Sequence, residues 1–159
     1  MEKPKPLKRS NEIAPLSREH HEGLLLVWKI RKGITNGTSV KTISSYIKWF
    51  WENYLLNHFK KEETVLIEYV PVENKHVKQM FEEHRVIVDK IAEIENQPNE
   101  KLLLEFSTLL EAHIRFEERV LFNEIEQILS AEQLEKLGEI LNEDEKSKAS
   151  WDDEFWLKK

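Results

Sequence analysis

The chain has 159 residues, 40% of them hydrophobic and 34% charged, which suits one domain with a real core. A formal net charge of -6 leaves no basic excess to neutralise phosphates, so nucleic acid is a poor partner. The absence of cysteine excludes disulfides, thiolate metal sites and ordinary iron–sulfur clusters, and leaves imidazole and carboxylate as the available metal ligands.

Few glycines and prolines interrupt the chain, and the composition leans toward helix. Met1 to Pro15 carries lysines and prolines with no apolar run behind them, unlike a signal peptide or anchor. No stretch approaches the ~20 apolar residues that span a bilayer. A soluble cytoplasmic protein with no membrane partner is the expectation, with residues 1–14 as a flexible N-terminal segment.

Pro15 and Ser17 precede the first helical pattern, and Gly33 with Asn36-Gly37 closes it, which predicts a helix over about 16–32. Leu16, His20, Leu24 and Val27 share one stripe of it; His21, Leu25 and Trp28 share the adjoining one. Spacing alone does not say which histidine faces the core. Thr38 or Ser39 can cap a long second helix, with Ile43, Ile47, Phe50, Tyr54, His58, Glu62 and Val65 at spacings of three and four. It stops near Tyr69, ahead of Pro71. The third helix runs from about Glu73 to Glu95 and buries Val77, Met80, His84, Val88 and Ile91.

Asn99 caps a fourth helix whose stripe is Leu103, Phe106, Leu110, His113, Glu117 and Val120, ending near Leu129. Ser130-Ala131-Glu132-Gln133 is a capping-box pattern that opens a short fifth helix, about 131–142, through Leu134, Leu137 and Leu141. The charged tail, 143–159, holds Trp151, Phe155 and Trp156, which are expected to pack back over the helices, because large exposed apolar patches are uncommon. Four main helices with short connections predict an all-α, up-down-up-down four-helix bundle over 15–130.

The chemistry lies in an internal echo. His58-Phe59-Lys60-Lys61-Glu62-Glu63-Thr64-Val65-Leu66 and His113-Ile114-Arg115-Phe116-Glu117-Glu118-Arg119-Val120-Leu121 agree at His, both Glu, Val and Leu. In each, an imidazole and a carboxylate four apart lie one above the other on a helix, within reach of a common point. Each then interrupts an otherwise apolar stripe. The first and third helices bring His20 or His21 and His84, so every helix of the bundle supplies one core histidine.

Two buried carboxylates without counter-charge would each cost several kcal/mol, whereas divalent cations offset their charge directly. Six candidate ligands exceed the three or four protein ligands of a zinc ion, and two carboxylates able to bridge imply a pair of ions. Imidazole and carboxylate suit iron, with manganese or zinc as alternatives. Other metal motifs fail: the zincin pattern has no second histidine after His21-Glu22, and only Glu73 with His76 supplies a ferritin-like Glu-x-x-His pair.

Leu16-Ser17-Arg18-Glu19-His20-His21-Glu22, the two His-x-x-x-Glu-Glu segments and Glu83-His84 together resemble the hemerythrin-like, or HHE cation-binding, domains. The resemblance spans about residues 15–130. It implies a non-haem, carboxylate-bridged di-iron centre that meets dioxygen or a related small oxidant. Glu62 and Glu117 then look like the bridging carboxylates, and His20, His58, His84 and His113 like terminal ligands. His20 is preferred to His21 because Glu19-His20 matches Glu83-His84.

Two departures matter. Hemerythrin carries a further histidine four before the one on its third helix, and here that position is Met80. Either His76, the second of His20 and His21, or a water or exogenous ligand takes its place. The family's last carboxylate is an Asp five after its histidine, which makes Glu118 a competitor; the echo favours Glu117 and makes Glu63 and Glu118 outer or surface charges. A looser, wetter site favours sensing, iron handling or peroxide and nitric-oxide chemistry over oxygen carriage. Phe59, Phe116 and Trp51 are candidates to line it. The competing readings are a metal-free interaction module using the Trp151–Trp156 tail, and a di-iron repair enzyme or oxidase.

Overall fold

The computed structural model describes residues 10–143 and 151–157, without the side chains of 142 and 143. The described residues are all-helical, with no strand. The first rod is α1 (Ala14–Thr35). The second is α2 (Val40–Phe50), a π-helical turn (Trp51–Leu55), α3 (Leu56–Val65) and a 3₁₀ turn (Leu66–Glu68). The third rod is α4 (Lys75–Asn96). The fourth joins α5 (Glu100–Phe116), a second π-helical turn (Glu117–Leu121) and α6 (Phe122–Ile128), and the short α7 (Ala131–Glu143) follows. The rods close into an up-down-up-down four-helix bundle in which α1 packs on α2 and α5, and α4 on α2 and α5.

The caps are the expected ones. Ser39 Oγ accepts from the Thr42 N–H at 3.2 Å, and Asn99 Oδ1 from the Leu102 N–H at 3.0 Å. Ser130 and Gln133 make the reciprocal capping box, at 3.1 and 2.9 Å. The third helix starts two residues later than expected, because Asn74 turns out to be its cap, accepting from the His76 and Val77 N–H groups. Pro15 sits in the first turn of α1, where a missing N–H costs nothing.

Four stripe assignments need correction. Leu24, Val88 and Val120 are 37%, 38% and 37% exposed. On α1 and α4 the buried face continues three residues beyond the histidine, through Gly23 and Ile87, so the residue four beyond is rotated outward. Gly23 fixes this for α1: a Cβ there would lie 2.7 Å from Ile114 Cδ1, so the missing side chain lets α1 approach α5. Val120 is displaced for another reason. The π turn inserts one residue into its turn, and Leu121 takes the inward position. The turn at 51–55 does the same to Tyr54, with Leu55 buried instead.

The core has two apolar clusters along the bundle. One contains Leu26, Ile30, Ile47, Phe50, Ile91 and Phe106, among others. The other contains Ile13, Leu16, Leu66, Met80, Phe122 and Leu137, among others. Every histidine expected to point inward falls between them in sequence: His20 between Leu16 and Leu26, His58 between Leu55 and Leu66, His84 between Met80 and Ile87, His113 between Leu110 and Leu121. A polar layer therefore crosses the bundle with apolar packing above and below.

The tail packs back as expected. Phe155 is buried against Gly33, where a Cβ would lie 2.7 Å from the phenyl ring, and Trp151 and Trp156 cover the same end of the first cluster. Asn36 Nδ2 donates to the Trp156 carbonyl at 3.0 Å, and the Lys29 ammonium lies 4.1 Å from the Trp156 ring centroid. Residues 144–150 and 158–159 of the expected tail, and 1–9 of the expected N-terminal segment, lie outside the described residues; Ile13, in that segment, is fully buried.

Candidate metal centre

The polar layer holds His20, His58, Glu62, His84, His113 and Glu117, all buried, with both glutamates at 0% exposure. His20 Nε2 is 2.7 Å from Glu117 Oε1 and 3.8 Å from Glu62 Oε2. His58 Nε2 is 3.3 Å from Glu62 Oε1, and His113 Nε2 is 3.2 Å from Glu117 Oε2, each on its own helix. His84 Nε2 is 3.1 Å from Glu62 and 3.5 Å from Glu117. The four imidazoles thus converge through Nε2 on two carboxylates.

Their outward nitrogens are as ordered. Each Nδ1 faces a carboxylate of a neighbouring helix: His58 meets Glu19 at 3.2 Å, His84 meets Glu63 at 2.6 Å and His113 meets Glu83 at 2.7 Å in hydrogen bonds, whereas His20 Nδ1 lies 3.2 Å from Glu118 without hydrogen-bond geometry. The pairing runs once around the bundle, each rod holding the histidine of the next. A carboxylate on the outer nitrogen fixes the tautomer and turns the Nε2 lone pair inward, the arrangement that metal-binding histidines use. These outer partners are only about a third exposed or less.

Electrostatics tie the layer together. Burial by itself pushes each imidazole down, but the carboxylates outweigh it: His84 is raised to about 11, His113 to about 9, His58 well above its ordinary value, and His20 is raised too. Burial pushes the Glu117 carboxyl up, but the histidines around it, His113 foremost, hold it well below the carboxylate range. In the metal-free protein the surrounding carboxylates thus favour the protonated form of these histidines.

Hydrogen bonding does not satisfy it. His58 Nε2, His113 Nε2, Glu62 Oε2 and Glu117 Oε2 are buried and have no hydrogen-bond partner of acceptable geometry. Their donor atoms instead form two overlapping sets, each with its atoms within 4.8 Å of one another: His20, His58, Glu62 and Glu117, and Glu62, His84, His113 and Glu117. Orphaned, inward-facing imidazole and carboxylate donors in two sets that share both glutamates fit divalent metal ions better than they fit a closed hydrogen-bond network.

The remaining candidates lie apart. His21 is exposed on α1. His76 pairs with Glu124 through Nδ1, beside Asn74, and belongs to neither donor set. Met80 is a fully buried core residue. Glu118 is at the rim, 3.2 Å from His20 Nδ1 and accepting from Ser17 Oγ at 2.9 Å. Phe59 stacks on His84 with ring centroids 3.8 Å apart, and Phe122 on His20 at 5.1 Å. Trp51 meets the Phe59 ring edge-on with centroids 5.7 Å apart, and the Phe116 and His76 ring centroids lie 6.1 Å apart. A surface groove of about 550 Å³ lined by Glu63, Lys78, Phe81, His84, Arg85 and Val88 reaches the edge of the layer at His84.

Sequence reasoning missed the structural part of Glu19, Glu83 and Lys61. A signal for the first two was present: Glu-His occurs on both odd helices and Glu-Glu on both even ones, so His20, His84, Glu62 and Glu117 each have a carboxylate next to them in sequence, and His58 and His113 do not. Lys61, 7% exposed, pairs with Glu19 at 3.4 Å and gave no such signal.

Residues 11–125 match the family described as Hemerythrin HHE cation binding domain. Comparisons with curated proteins and with solved structures found no match.

Proposed function

The chain belongs to the hemerythrin HHE cation binding domain family, and on that premise we propose that it is a non-haem, carboxylate-bridged di-iron protein that binds or senses dioxygen or a related small oxidant. In this reading His20 and His58 would help hold one ion and His84 and His113 the other, with Glu62 and Glu117 as carboxylates common to both donor sets. The observation that carries it is the pair of buried donor sets sharing both glutamates, with four inward atoms left without hydrogen bonds. Bound there, iron supplies the one-electron chemistry toward oxidants that no side chain of this chain offers.

The chain's own residues do the rest. Glu19, Glu63, Glu83 and Glu118 keep the imidazoles oriented, and Phe59 and Phe122 cover two of the rings and exclude water from them. With Met80 in place of an imidazole, neither donor set exceeds two histidines and two shared carboxylates. That is fewer protein ligands than an octahedral ion takes, which leaves room for a small ligand at each ion and favours sensing or iron handling over oxygen carriage. The groove at His84 is the natural route for such a ligand.

Metal analysis of protein purified without added metal tests the proposal, together with absorption spectra before and after exposure to oxygen. About two iron ions per chain and oxygen-dependent near-ultraviolet and visible bands are expected. Joint substitution His113→Ala and Glu117→Ala should abolish stoichiometric binding. Manganese or zinc at the same stoichiometry would retain the site and change the chemistry; absence of any metal, before and after iron loading, would remove both.

A further inference from the structure

The internal echo places Lys61 and Phe116 at equivalent positions, three residues after His58 and His113. The two are chemically opposite. Lys61 is nearly buried, and its ammonium lies 3.4 Å from Glu19 Oε2, while Glu19 Oε1 lies 3.2 Å from His58 Nδ1. One carboxylate is therefore shared between an imidazole and a cation. On the other half Phe116 brings no charge, and the outer carboxylates sit closer to their histidines, at 2.6 Å for Glu63 to His84 and 2.7 Å for Glu83 to His113. Glu118, on the His20 side, is likewise shared with the Ser17 hydroxyl and stays 3.2 Å from His20.

An outer carboxylate strengthens a histidine as a metal ligand by drawing on its outer N–H. A cation on that same carboxylate takes part of its charge away and adds a positive charge near the metal position. We propose that Lys61 makes the two cation positions unequal: the His84–His113 position fills first, and the His20–His58 position holds its ion more weakly and is the exchangeable one. The inference rests on the metal-site reading above. Lys61 is a positioning residue here, acting on His58 through Glu19 without touching the ion.

Titration of metal-free protein with cobalt(II), against a competing chelator, tests it. The wild type should bind two ions in separate steps differing by roughly tenfold or more, within the range of effects of outer-ligand partners. Lys61→Met, which keeps the chain length and removes the charge, should tighten the weaker step by about tenfold and bring the two together. Lys61→Arg should restore the separation. Lys61→Gln gives a second neutral variant should the first not fold, as judged by far-ultraviolet circular dichroism.

A merely structural role for Lys61 predicts the opposite, a weakening of both steps. His58→Ala should remove the weaker step and retain the tighter one. Two equal steps in the wild type, or an unchanged separation in both neutral variants, would overturn the inference while leaving the metal site standing. No cobalt binding by the wild type would overturn the site and the inference together.

Discussion

At the scale of single residues, adjacent glutamates divide the work. Glu62 and Glu117 are fully buried and face the imidazole Nε2 atoms, whereas Glu63 and Glu118, one position further, reach Nδ1 atoms from the rim. A one-residue step is a 100° rotation on a helix, so the choice between neighbours depends on which face the packing turns inward. The rim carboxylates carry a prediction: Glu83→Ala, which frees the outer nitrogen of His113, should weaken metal binding by roughly 10–100-fold with little change in helix content. Unchanged affinity would deny the rim any part in the site. The histidines carry another. Their values are raised in the folded metal-free protein above the unfolded value of about 6.5, so the stability they contribute is full below that pH. It is lost as pH rises through about 9 for His113 and about 11 for His84. Glu117 is depressed, so its contribution is present above its unfolded value and is lost as pH falls through its lower folded one. Urea denaturation of the metal-free protein should therefore show stability falling from pH 7 to pH 10, and metal affinity should rise over the same range because binding displaces those protons. A flat stability profile would contradict the network.

At the scale of elements, helix limits followed their chemistry, and helix faces followed it only in part. Ser39, Asn99 and Ser130 cap where their side chains allow it. Asn99→Ala should cost about 1 kcal/mol of stability, measured by urea denaturation, because it leaves the Leu102 N–H without its partner. The two π turns are different. An inserted residue leaves no compositional trace, and it moved Val120 and Tyr54 off the inward stripe while bringing Leu121 and Leu55 onto it. They also break the symmetry of the echo. The second turn begins at Glu117 itself, whereas the first ends ahead of His58. π turns are enriched at functional sites, and here one starts on a proposed bridging ligand.

At the scale of the whole molecule, a charged layer is held between two apolar clusters, and pairing within the layer offsets only part of its cost, since four of its inward atoms stay without hydrogen bonds. Ions that bind only the folded state should raise its stability by about 2.7 kcal/mol at a free concentration a hundred times the dissociation constant, seen as a shift in the denaturation midpoint. The tail closes the end of the first cluster. Phe155→Ala should release it, shifting tryptophan emission to the red through Trp151 and Trp156 and lowering the melting temperature, with metal stoichiometry unchanged. Unshifted emission would mean that the tail stays seated without Phe155.

The bundle and five of the six inward candidates were legible from periodicity and from the repeated His-x-x-x-Glu-Glu, because a 3.6-residue period and a four-residue spacing are properties of the helix itself. His20 is preferred to His21 only through the match of Glu19-His20 to Glu83-His84. No helix among the described residues is long and apolar enough to cross a membrane. The structure buries His20 and exposes His21, in line with the preference for His20, and tertiary structure alone decided the failure of His76 to reach the layer and the hold that Glu19, Glu63 and Glu83 keep on histidines of neighbouring helices. It also decided the burial of Lys61. Each of these depends on the rotation and separation of helices packed against one another, and the distance between residues on different helices is set by that packing rather than by their separation along the chain.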